Sequence, residues 1–117
     1  MKDDRLYLVY ILECIDRIER YTAKGKKDFM ADERTQDAVL RNLQVLSEST
    51  QRLSADLKAD HPEVDWRGIS GFRNVLVHDY LGINLVRVWE IVEGDLSELK
   101  ESINNIFVDL GGTTRKD

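Results

Sequence analysis

Apolar residues recur every three or four positions along most of this chain, and this period constrains its fold more than any other feature. Near the C-terminus the stripe consists of Leu85, Val88, Trp89, Val92, Leu96, Leu99, Ile103 and Ile106. Such spacing puts all of its members on one side of a helix, whereas a half-buried strand would need strict alternation. No alternating segment is found in the sequence. The pattern therefore predicts an all-α fold.

Three earlier stretches show the same period. They run from Asp4 to Tyr21, from Asp32 to Asp60 and from Trp66 to about His78, and lysine-rich residues 23–30 read as a polar connection. With the last helix, they predict an antiparallel helical bundle of four main helices, with room for a short extra turn near Pro62. We expect residues 1–117 to form a single domain in which residues 111–117 are a frayed tail.

Local signals place the helix ends. Asp32, Asp65 and Asn84 stand where N-caps are expected, and the residue before Pro62 avoids the helical region. Gly68 and Gly71 lie inside the third helix, although a helical glycine costs about 1 kcal/mol relative to alanine. Two explanations remain open: another helix or a partner chain approaches the backbone there, or the two glycines are simply tolerated.

The charge balance is acidic but uneven. Seventeen Lys and Arg against 22 Asp and Glu give a net charge of −5, so the chain as a whole is not a typical nucleic-acid binder. Residues 84–110 hold two basic and six acidic residues, which makes them the most acidic stretch. A polyanion would therefore have to bind a local site away from the C-terminal face.

The single cysteine and the lack of a long apolar run exclude further classes of protein. A single cysteine, Cys14, rules out a disulfide framework and lies on the stripe of the first helix, where we expect it in the core. No apolar run approaches the length of a membrane span, and the charged start has no signal-peptide core behind it. A cytoplasmic domain without membrane contact is expected. Two histidines without carboxylates at ligand spacing give no case for a metal or a cofactor.

Polar groups concentrate in one short segment. Arg73, Asn74, His78, Asp79 and Tyr80 surround an apolar triplet, whereas His61 stands beside a proline in a connection. A purely structural interpretation pairs the arginine with a carboxylate and buries the tyrosine in the core. At about 100° per residue, Asn74 and His78 share a helix face, while Arg73 lies roughly 140° from His78. Two copies of the helix about a two-fold axis would bring these groups together, so a catalytic use of the segment predicts a homodimer.

The order Arg73-Asn74, three apolar residues and His78-Asp79-Tyr80 resembles the Arg-polar-x3-His-x-Tyr motif of the HEPN superfamily. More narrowly, residues 66–92 are similar to the HepT toxins of bacterial and archaeal toxin–antitoxin pairs, and the likeness extends over the whole chain in length and helix order. The resemblance implies a dimeric HEPN-like helical fold and a metal-independent RNA endonuclease.

In that resemblance Arg73 and His78 are the catalytic pair. Asn74, Asp79 and Tyr80 are supporting candidates: Asn74 could orient His78 or donate to the phosphate, and Asp79 could hold an imidazole tautomer or, as we favour, simply be solvated. A histidine can take the proton of the RNA 2′-hydroxyl, and an arginine fork can bind two phosphate oxygens. The implied partner is a small MntA-like nucleotidyltransferase antitoxin, which would transfer AMP to Tyr80 and repel the RNA backbone. Two alternatives remain: a non-catalytic helical module that binds the transferase and nucleotide, and, ranked lowest, a substrate and activator of that transferase.

Overall fold

The computed structural model describes residues 3–77 and 84–111. In these ranges the chain is helical and contains no strand. The helices are α1 (Asp4–Tyr21), α2 (Lys26–Ala31), α3 (Glu33–Arg52), α4 (Ala55–Asp60), α5 (Trp66–Val77), α6 (Leu85–Glu90) and α7 (Leu96–Asp109), with a π-helical segment, Ile91–Asp95, joining α6 to α7. The predicted all-α bundle is confirmed, with α6, the π segment and α7 acting as its fourth long helix.

Helix α1 is the central element, because it contacts both α3 and α7. The width of its apolar stripe in the sequence predicts a helix that faces two neighbours, and this is confirmed; the buried members are Leu8, Ile11, Leu12, Cys14, Ile15 and Ile18. The same three- and four-residue period predicts that Tyr21 is on this stripe, but Tyr21 is 40% exposed because the helix ends there.

The second helix is shorter than its apolar period predicted. It ends at Arg52, and α4 begins two residues after the extended residue Leu53. Ser54 causes this break: its hydroxyl accepts a hydrogen bond from the Leu57 amide (3.1 Å), and its own amide and hydroxyl donate to the Asp4 carboxylate (2.8 and 2.6 Å). Leu53 and Leu57 are nevertheless buried, as their period indicates. The predicted stop at Asp60 is confirmed.

The connection after α1 was wrongly predicted to be irregular. Residues 26–31 form α2, whose Phe29 is only 1% exposed and stacks against Trp89 with ring centroids 5.4 Å apart. Phe29 is the one aromatic residue in this lysine-rich segment, and a single aromatic position does not establish a helical period. The sequence pattern therefore did not indicate this short helix. Burial of that ring, which is worth a few kcal/mol, stabilises a helix too short to be stable alone.

The last helix also departs from a regular period. In the π segment the Leu96 amide donates to the Ile91 carbonyl, five residues earlier, and Gly94 lies within this wider turn. The change of pitch buries Ile91 completely and leaves Val92 only partly buried, although Val92 was the residue predicted to face inward. Downstream, Leu96, Leu99, Ile103 and Ile106 are buried as predicted. Helix α7 ends at Asp109, and Gly111 follows with φ +90°.

Candidate functional site

Helix α5 carries the first half of the motif. Asp65 caps it as predicted, because its carboxylate accepts a hydrogen bond from the Gly68 amide (2.9 Å). Ile69 and Phe72 are buried, and the half-buried Trp66 packs on the core while its indole donates to the His61 carbonyl (3.0 Å). The helix is therefore held firmly before the motif begins.

Arg73 and Asn74 lie in the second half of α5, so both are on a rigid element. Arg73 follows Ile69 by four residues, a spacing that puts two residues on one helix face. The side chains of both motif residues lie outside what the structure describes. His78, Asp79 and Tyr80 also lie outside the described residues, as do Ile83, Gly112 and the tail.

Helix α6 begins directly after the motif. The side chain of Asn84 accepts a hydrogen bond from the Arg87 amide (3.1 Å), which confirms its role as an N-cap. Val88 and Trp89, one turn later, are buried, and the indole of Trp89 donates to the Glu93 carboxylate (2.9 Å). The chain is thus anchored in the core on both sides of residues 78–83.

The two glycines of α5 differ in surroundings. A Cβ placed on Gly68 would clash with the Asp65 carboxylate, so the close neighbour there is the cap of the same helix and not a second helix. A Cβ on Gly71 would have no heavy atom within 4 Å. Gly71 and Asn74 are three residues apart in α5, a spacing that puts two residues on one helix face. The face that carries this half of the motif is consequently open at Gly71.

An acidic cleft of about 280 Å³ borders α5 at Gly68, Ile69 and Phe72. Its floor includes Ile69, Phe72 and Leu99, and its rim carries Glu63, Asp65, Asp95 and Glu98. Arg87 also lines this cleft and already contacts the Glu90 and Asp95 carboxylates (3.6 and 3.9 Å). Such a rim repels a polyanion, which agrees with the charge pattern of the C-terminal stretch.

Cys14 is not suited to nucleophilic chemistry. Its side chain is 1% exposed, and burial raises the pKa of the thiol. A protonated, inaccessible thiol is a poor nucleophile, so the predicted core role is confirmed. In residues 3–77 and 84–111, no three His, Cys, Asp or Glu side chains come together as potential metal ligands. The same ranges contain no helix long and apolar enough to cross a membrane.

The family model described as "Ribonuclease HepT-like" matches residues 11–106, which include both anchoring helices and the motif between them. No solved structure matches the chain.

Several curated proteins are similar over most of the chain. "Gamma-glutamylcyclotransferase and putative RNase" of Methanocaldococcus jannaschii is 34% identical over 93% of this chain and 50% of its own length. The chain thus spans about half the length of that relative. "Probable ribonuclease HepT" of Thermococcus cleftensis is 37% identical over 80% of this chain and 86% of its own length. "Putative RNase" of Caldanaerobacter subterraneus subsp. tengcongensis is 34% identical over 92% and 96%, respectively. The family model covers most of this chain, and helix α5 carries Arg73 and Asn74, the first two residues of the motif. This chain therefore belongs to the ribonuclease HepT-like family.

Proposed function

We propose that this chain is a metal-independent RNA endonuclease and the toxin of a toxin–antitoxin pair, with Arg73 and His78 as its catalytic residues. Membership of the ribonuclease HepT-like family is the observation that carries the proposal. The position of Arg73 on the core-anchored helix α5 supports it, because catalytic groups act best from rigid elements.

The reaction uses the nucleophile that RNA itself contains. The His78 imidazole takes the proton of a 2′-hydroxyl, whose oxygen attacks the neighbouring phosphorus. The bond from phosphorus to the 5′-oxygen breaks, and that oxygen takes a proton from the His78 imidazolium of a second copy. Arg73 binds the phosphate oxygens while negative charge develops on them. Asn74 positions the imidazole, and the products are a 2′,3′-cyclic phosphate and a 5′-hydroxyl. DNA lacks the attacking hydroxyl, so only RNA is cut.

A homodimer completes this site. Arg73 and His78 are roughly 140° apart around one helix, so a single α5 does not direct both at one phosphate. The open space at Gly71 supports the close approach of a second α5 on the face of that helix that carries Gly71 and Asn74. Isologous contact of this kind would place both copies of each catalytic residue in one cleft.

The test is RNA cleavage in the presence of a metal chelator by four alanine variants. Arg73→Ala and His78→Ala should each lose at least about 100-fold in cleavage rate, the usual size of a general-base or phosphate-binding contribution. Arg67→Ala is the matched control, because Arg67 is an exposed arginine of the same helix outside the motif. His61→Ala is the second control, since only the backbone carbonyl of His61 holds Trp66. Full cleavage by His78→Ala, or equal loss in the controls, would refute the assignment.

The antitoxin would act on Tyr80. We propose that an MntA-like nucleotidyltransferase joins the Tyr80 phenol oxygen to the α-phosphorus of ATP and releases pyrophosphate. The attached phosphate would add negative charge beside Arg73 and His78 and exclude RNA. Co-expression with the transferase, followed by mass measurement and peptide mapping, should find AMP on the wild type and none on Tyr80→Phe. Tyr10→Phe, which alters an exposed tyrosine on α1, should still be modified.

A non-catalytic interaction module is the second candidate, favoured by the net charge of −5 and the acidic cleft beside α5. On that hypothesis the purified protein leaves RNA intact at high concentration yet binds the transferase tightly. Asp79 has no assigned role beyond support of the motif.

A further inference from the structure

A groove of about 440 Å³ lies where α1 ends and α2 begins. Arg20, Tyr21 and Lys24 lie along it, and the buried residue Phe29 also borders it. Tyr21 is 40% exposed, and the guanidinium carbon of Arg20 lies 5.9 Å from the centre of its ring. The groove therefore offers an exposed aromatic ring that has a planar cation over one of its two faces.

The surroundings of this groove are the basic part of an acidic chain. Residues 20–34 contain five basic and three acidic residues, a net charge of +2 against −5 for the whole chain. Lys24, Lys26 and Lys27 are exposed, and within the described part of the chain none of them forms an ion pair. Arg20, by contrast, contacts the Asp16 carboxylate (3.3 Å). The three lysines thus have their charges available.

Two carboxylates also line the groove. Asp32 caps α3: its side chain accepts hydrogen bonds from the Thr35 hydroxyl (2.8 Å) and the Arg34 amide (3.1 Å), and the Thr35 hydroxyl chiefly lowers the pKa of Asp32. This carboxylate is ionised at neutral pH and is engaged by its own helix. Asp28 is exposed on α2 and opposes the lysine charges.

The backbone that carries the lysines is well ordered by hydrogen bonds. The Gly25 amide donates to the Thr22 carbonyl (3.0 Å), and φ of +98° at Gly25 turns the chain into α2. At the other end of α2, the Gln36 side chain donates to the carbonyls of Phe29 and Met30 (3.0 and 3.1 Å). The lysines are therefore presented in a fixed arrangement rather than on a free loop.

The groove lies at the end of the bundle from which the motif segment leaves. Phe29, beside the groove, stacks on Trp89, and Trp89 is five helical residues from the N-cap Asn84, or about 7.5 Å along the axis. Tyr80 is only four residues before Asn84 in the sequence, and four residues span at most about 14 Å. One RNA strand can consequently reach both places.

We propose that this groove is a subsite for single-stranded RNA outside the cleavage centre. A base stacks on Tyr21, and Lys24, Lys26 and Lys27 bind the adjoining phosphates. Aromatic platforms beside basic side chains bind single strands in this way, largely without regard to sequence. The inference rests on the proposed ribonuclease function, since it gives the substrate strand a second point of attachment.

Binding is measured with the full chain and a fluorescent single-stranded RNA of about 12 nucleotides, which is within the site sizes usual for such proteins. His78→Ala is present in every variant so that the probe stays intact. Tyr21→Ala should weaken binding about tenfold, whereas Tyr21→Phe, which keeps the ring, should bind within about twofold of the parent. Equal binding by Tyr21→Ala and the parent would overturn the stacking role.

The lysines are tested by salt dependence. Each phosphate contact with a single strand contributes about 0.7 to the slope of log affinity against log salt concentration. Changing Lys24, Lys26 and Lys27 to Gln should therefore lower the slope by about 2. The charge-matched control changes Arg5, Arg52 and Arg67 to Gln; these exposed residues lie in the first turn of α1, at the end of α3 and in the first turn of α5, at the other end of the bundle. An equal change of slope in both triple variants would overturn the proposal.

A substitution of opposite sign completes the test. Asp28→Asn removes the exposed negative charge from the groove and should tighten RNA binding by about two- to fivefold, more at low salt than at high salt. Weaker binding by this variant would contradict the proposal. Because binding is measured without cleavage, the groove and the nuclease function are tested separately. If the groove variants change RNA binding but the wild type does not cut RNA, the groove proposal is supported and the nuclease proposal is refuted. If the wild type cuts RNA but the groove variants bind RNA as the parent does, only the groove proposal is refuted.

Discussion

The contact between Ser54 and Asp4 joins the end of α3 to the start of α1 and provides a quantitative test of the fold. Ser54→Ala removes the hydroxyl that caps α4, a loss of about 1 kcal/mol. It also removes the 2.6 Å hydrogen bond to the Asp4 carboxylate, but keeps the 2.8 Å bond from the backbone amide. A hydrogen bond to a charged group contributes about 1.5 kcal/mol at the low end of the usual range, which suits a half-buried carboxylate. The free energy of unfolding should fall by about 2 to 2.5 kcal/mol.

The assay is urea denaturation of four proteins: wild type, Ser54→Ala, Asp4→Ala and the double variant. If the side-chain bond stabilises the fold, the two substitutions couple by about 1 kcal/mol in the double-mutant cycle. Glu33→Ala supplies the control, because Glu33 holds in α3 the first-turn position that Asp4 holds in α1. Its cycle with Ser54→Ala should be additive. Additivity of Asp4→Ala with Ser54→Ala to within about 0.3 kcal/mol would refute the reasoning.

Two further predictions concern the helices around the site. Gly71→Ala should raise the free energy of unfolding of a single chain by about 1 kcal/mol, since its Cβ meets no atom, and should weaken the proposed dimer in sedimentation experiments. Gly68→Ala should gain little stability, because its Cβ displaces the Asp65 cap; greater stability than Gly71→Ala would contradict this. Cys14 should resist alkylation in the native protein and react on unfolding, as thiol quantification will show. Rapid native reaction would contradict its burial and raised pKa.

The candidate site was partly predictable because its motif is local. Arg73 and Asn74 were expected on the third helix, and the structure has them in α5. The roles of His78, Asp79 and Tyr80 stay predictions. The groove was not predictable in the same way. From the sequence, Lys24, Lys26 and Lys27 could hold RNA or the antitoxin, but a solvated connection was the favoured interpretation, because nothing near them in sequence shows that Phe29 is anchored by Trp89, 60 positions later.

Sequence alone determined the helices whose signals act within a few residues. The caps Asp32, Asp65 and Asn84 bind amides two or three positions away, and the apolar period selects the buried faces. Tertiary structure decided the rest. Asp4, 50 residues away, accepts the hydrogen bonds that hold Ser54 at the break between α3 and α4, and the aromatic contact of Trp89 stabilises α2. The π segment, in turn, buries Ile91 completely, while Val92 packs against the core and is only partly buried. Each of these features depends on packing between segments that are distant in sequence. A local sequence pattern does not show which distant residue will make the contact.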